Sequence, residues 1–127
     1  MHRTIYLDRR ALPADPEPTW YRYSVGHWQR NSLVVETTGF NDESRLDHDG
    51  HPHSDQMRIE ERFQRVDHDT IEGRMTLADP KAYTAPWVSG VTRWKLTPKR
   101  AMREDLCAPS DELKYKEEMR DPAAIRK

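Results

Sequence analysis

Met57-Arg58-Ile59-Glu60-Glu61-Arg62-Phe63 is the stretch that decides the fold class. Met57, Ile59, Glu61 and Phe63 occupy alternate positions, with Arg58, Glu60 and Arg62 between them. A period of two belongs to a strand that rests one face on a core and turns the other to water. Beyond a turn at Asp67-His68-Asp69, the residues Ile71, Met75 and Leu77 supply a second strand, which makes a hairpin.

Toward the N-terminus, Trp20 to Phe40 reads as another strand, turn and strand. Tyr21, Tyr23 and Val25 alternate on one side, and Leu33-Val34-Val35 forms the apolar centre of the partner strand. Gln29-Arg30-Asn31-Ser32 is the turn, with Asn31 the residue best able to take positive φ. Thr4 to Leu7 is a short strand with Ile5 and Leu7 on one face. Asp8 to Pro18 is a loop, because Pro13, Pro16 and Pro18 interrupt any ladder. Asn41 to Asp55 has no periodicity and is a long polar loop. Val88 to Leu96 resumes strand character, with Trp94 and Leu96 on one face. Beyond Pro98 the chain is highly charged, and Ser110 caps a short helix over 111–119, with Glu112 and Lys116 at supporting spacing.

Successive hairpins without crossover helices predict a mainly β fold: an antiparallel up-and-down meander of about six strands. It is expected as a curled sheet or an incomplete small barrel over residues 1–98, followed by a charged C-terminal extension over 99–127. The 127 residues suffice for one domain, and 34% charged against 35% hydrophobic residues implies a modest core under a polar surface. Acids and bases are interspersed at a net charge of −1, which argues against a nucleic-acid partner. No apolar run approaches membrane-spanning length. Cys107 is the single cysteine, so no internal disulfide forms. The N-terminus lacks the apolar stretch of a secretory signal and opens directly into strand-like sequence, as a piece of something longer would.

Three features bear on chemistry. In Asp47-His48-Asp49-Gly50-His51-Pro52-His53-Ser54-Asp55, three imidazoles and three carboxylates lie on one loop. His51 and His53 in extended backbone point the same way, and with a third ligand from His48, Asp47, Asp55 or elsewhere in the chain they form a candidate site for zinc or copper. The plain alternative is a solvated, histidine-rich loop. Glu61 falls between Ile59 and Phe63 on the apolar face, where a desolvated carboxylate suits acid/base work. The alternative there is relief by a bulge or by a partner arginine, Arg65 or Arg93 being the obvious candidates. Trp28, Phe63, Tyr83, Trp87 and Trp94 are the candidate lining of an apolar ligand site, or else the core of a domain poor in aliphatics.

Several of these motifs occur together in one known family. Trp28 with Leu33-Val34-Val35-Glu36-Thr37-Thr38-Gly39-Phe40, Gly50-His51-Pro52-His53, Glu61-Arg62-Phe63 and Asp79-Pro80-Lys81-Ala82-Tyr83-Thr84-Ala85-Pro86-Trp87 resemble an uncharacterised family of secreted, β-rich bacterial proteins. The resemblance runs from about Tyr6 to Cys107 and covers the C-terminal part of those proteins. It implies secretion for the family, further strands upstream, and therefore an open sheet edge here unless another chain covers it. Two turns depart from the family pattern. Asp8-Arg9-Arg10 replaces Asp-Gly-Arg, and Gln29-Arg30-Asn31-Ser32 replaces Glu-Gly-Asp-Thr, each losing a glycine from a turn that favours positive φ.

Three functional readings follow. The first is a domain that binds a small organic molecule in an aromatic-lined concavity with the histidine loop at its rim. The second is a metal-dependent enzyme using His51, His53 and Glu61. The third is a structural domain that forms a homodimer through its exposed sheet edge.

Overall fold

The computed structural model describes residues 3–99. All seven strands found among them belong to one mixed, mostly antiparallel sheet: β1 (Ile5–Tyr6), β2 (Tyr23–Gln29), β3 (Ser32–Thr38), β4 (Arg58–Asp67), β5 (Thr70–Ala78), β6 (Trp87–Val88) and β7 (Thr92–Lys95). They run in the order β1-β2-β3-β4-β5-β6, with β7 also on β5. The chain divides into two compact units. One, Met1–Asn41 with Ser54–Leu96, carries every strand; the other includes the loop Asp42–His53. The helix expected over 111–119 lies outside the described residues.

The meander is the one the alternation predicts. Trp28 pairs with Leu33, Leu33 with Phe63 and Phe63 with Gly73, so these residues share a face from β2 to β5. The three consecutive apolar residues of β3 serve both faces. Val35 shares its face with Glu61, Val34 lies on the opposite one with Arg62, and their exposures are 0% and 1%. A strand buried on both sides is apolar without alternation. Val25, Phe40, Met57 and Leu77 complete the buried apolar set.

Four expectations need correction. The sheet is open and not strongly curled, so neither the curled sheet nor the incomplete barrel forms. Closure would require β1 to pair with β6 or β7, and β1 is only two residues long. β1 also runs parallel to β2, pairing Ile5 with Ser24 and Tyr6 with Val25. The loop from 7 to 22 is long enough for the return crossover that a parallel pair requires.

The strand expected over Val88 to Leu96 is broken by a bulge. Trp87 and Val88 pair with Leu77 and Thr76, whereas Thr92 to Lys95 pair with Gly73 to Thr70, one residue out of step. Ser89 patches the ladder at the break: its N–H donates to the Met75 carbonyl at 2.8 Å, and its Oγ accepts the Met75 N–H at 2.9 Å. In the β2–β3 turn the positive φ falls on Arg30, at 53°, and not on Asn31. Arg9, at 65°, is left-handed as well, so arginine holds a glycine-like conformation in both turns.

Candidate functional site

The register gathers the aromatic candidates unevenly. Trp28, Leu33 and Phe63 stand in one cross-strand row that ends at Gly73. Trp94 leans over that glycine and meets Phe63, with ring centroids 5.8 Å apart and the planes tilted by 51°. A methyl group on Gly73 would lie 2.6 Å from Trp94 Cζ3 and 3.1 Å from Phe63 Cδ1, so the absent side chain is what admits the indole. Trp28, Leu33, Phe63 and Trp94 thereby make one apolar stripe across the sheet. Both tryptophans remain open to water, Trp28 at 66% and Trp94 at 46% exposure.

Trp87 shares this face through its pairing with Leu77, but four residues farther along β5 than Gly73, roughly 13 Å away. Tyr83 lies in the loop after β5, where its N–H donates to the Asp79 carbonyl at 2.8 Å. Of the five aromatic candidates, Trp28, Phe63 and Trp94 belong to the stripe, and Trp87 and Tyr83 stand apart from it.

Glu61 sits one row from the stripe, opposite Val35 and Met75, with its side chain 18% exposed. It accepts a bond from Arg3 Nη1 at 2.5 Å. Neither expected arginine reaches it: Arg65 donates to the carbonyls of Asp67 and His68, and Arg93 Nε donates to Glu72. This ion pair joins a residue two positions before β1 to the middle of β4. Glu61 is therefore half of an ion pair rather than an isolated carboxylate.

The histidine loop forms a self-contained turn. Asp47 Oδ2 accepts His51 Nδ1–H at 2.7 Å, and Oδ1 accepts the N–H groups of Asp49 and His51 at 3.1 and 3.2 Å. The Leu46 N–H donates to the His51 carbonyl at 2.8 Å. His53 is buried, with Nε2 2.9 Å from Ser44 Oγ. Among the described residues, the group able to converge on a cation is Asp47, Asp49 and His51, all exposed, with ligand atoms within 4.8 Å of one another. His48 and His53 are not part of that group. A metal there would have to displace bonds that already organise the turn.

Sequence reasoning missed one polar centre. Asp79 is buried, and its carboxylate accepts the Ser54 N–H at 2.6 Å, the Ser54 hydroxyl at 2.7 Å, and the N–H groups of Lys81 and Ala82 at 3.2 Å each. Lys81 Nζ adds a bond to Asp55 at 2.7 Å. This cluster ties the segment entering β4 to the one leaving β5, across the open end of the hairpin. Asp79-Pro80 is a legible turn signal, but the partner at Ser54 is distant in sequence. No family model, curated protein or solved structure matches the chain.

Proposed function

We propose that this chain is a binding domain for a small apolar or aromatic molecule, taken up along the stripe of Trp28, Leu33, Phe63 and Trp94. The observation that carries the reading is the placement of two half-open indoles and a phenyl ring in one stripe across the sheet, with Trp94 admitted over Gly73. Indole faces left in water gain strongly when a flat apolar partner covers them, by about 0.5–1.5 kcal/mol per aromatic pair beyond area burial. A rigid sheet holds them at fixed spacing, so little order is lost on binding. The site is an open stripe and not an enclosed cup, which suits planar ligands better than bulky ones.

The metal-dependent alternative finds less support. Asp47 has both carboxylate oxygens engaged within its own turn, and Glu61 is neutralised by Arg3.

The test is a titration with 1-aminoanthracene, an uncharged aromatic probe, read by its own emission and by quenching of tryptophan. Saturable binding is expected, weakened about fivefold or more in Trp28→Ala and in Trp94→Ala and unchanged in Trp20→Ala. Equal affinity in all three variants, or no binding to the unaltered chain, would refute the proposal.

A further inference from the structure

Arg22, immediately before β2, has a φ of 60°, a left-handed conformation that opposes a residue with a side chain. Thr19 secures it: Oγ1 accepts the Arg22 N–H at 2.9 Å and the Tyr21 N–H at 3.1 Å. The guanidinium is carried onto the ring of Phe40, 4.8 Å from the centroid. Backbone strain held by a specific cap, aiming a charged group in a fixed direction, is the kind found at binding sites.

A second guanidinium lies close by. The parallel register pairs Ile5 with Ser24, so Arg3 and Arg22 each lie two residues before this first pair on neighbouring strands. Desolvation, and then the like charge of Arg3, hold Arg22 below the usual arginine range. The Arg3 side chain is paired with Glu61, whereas among the described residues no carboxylate forms an ion pair with Arg22. Two cations and one anion leave a single positive charge unmatched. Guanidinium forks fit planar, two-oxygen anions by paired N–H bonds.

We propose that Arg3 and Arg22 form a binding site for a carboxylate group, with Phe40 supporting the Arg22 guanidinium and Glu61 holding the arm of Arg3. One unmatched positive charge suits a monoanionic carboxylate better than a dianionic phosphate. Arg22 lies at the opposite end of β2 from Trp28, roughly 20 Å away, while Arg3 reaches toward Glu61, one row from the stripe.

The experiment follows the arginine Nε–Hε resonances of the full chain during titration with sodium acetate, sodium phosphate and sodium chloride at equal ionic strength. Acetate is expected to shift the Arg3 and Arg22 signals saturably, with chloride producing no saturable change. Arg22→Gly relieves the left-handed backbone and so retains the fold, yet should weaken acetate binding about tenfold or more. Arg3→Gln should do the same, with native dispersion of the amide spectrum as its folding control. Acetate behaving as chloride does, or Arg22→Gly binding acetate like the unaltered chain, would overturn the site. Phosphate binding more tightly than acetate would overturn its assignment to carboxylates.

Discussion

Asp79 shows how much one buried carboxylate can hold. Burial pushes its carboxyl up, but the Ser54 hydroxyl and the N–H groups of Ser54, Ala82 and Lys81 outweigh burial and keep it below the usual aspartate range. A folded-state value below the unfolded one, about 3.9, gives stability that is fully present above that pH. It is lost as pH falls through the folded value. Asp79→Asn should therefore cost about 1–3 kcal/mol at neutral pH, with the gap to the unaltered chain narrowing below about pH 4. Urea unfolding at several pH values measures this, and a gap independent of pH would contradict the charge assignment. Gly73 offers a second test at this scale. A methyl group there would collide with Trp94 Cζ3 and Cη2, at 2.6 and 2.9 Å. Gly73→Ala should turn the indole outward, red-shift tryptophan emission and destabilise the sheet by about 1–2 kcal/mol.

The turns and strands carry the next set of consequences. Arg9 and Arg30 sit at φ 65° and 53°, where a residue with a Cβ is disfavoured by about 1–2 kcal/mol. Glycine removes that strain at an entropic cost of about 0.5–1 kcal/mol. Arg30→Gly should thus raise stability by about 0.5–1 kcal/mol, seen as a higher denaturant midpoint at unchanged slope; a lower midpoint would mean that the arginine side chain supports the hairpin. Residue types made some elements legible and hid others. The alternation from Met57 to Phe63 and the unbroken Leu33-Val34-Val35 announce two strands and their burial. The parallel pairing of β1 was not legible, because two residues carry no signal of direction. The bulge at Ser89 depends on a hydroxyl replacing a backbone acceptor, which no periodicity encodes. Asn31 is the better left-handed residue in isolation, but the hairpin register places Arg30 in that position.

At the scale of the whole sheet, one edge carries features that discourage strand addition. The β6–β7 edge is interrupted by the bulge and bears Arg93 and Lys95, while on the other side β1 covers Ser24 and Val25. Homodimer formation by edge pairing would have to overcome the positive charge and the bulge on one side. The candidate site was legible only in its parts. Trp28, Phe63 and Trp94 are conspicuous by type, but their union depends on registers running through four strand pairings and on the missing side chain of Gly73. The most direct test of the binding claim follows the four indole N–H signals of the tryptophans during titration with 1-naphthol. Saturable shifts are predicted for Trp28 and Trp94, with Trp20 and Trp87 left in place. No shift at all, or equal shifts in all four, would contradict a binding stripe on this face.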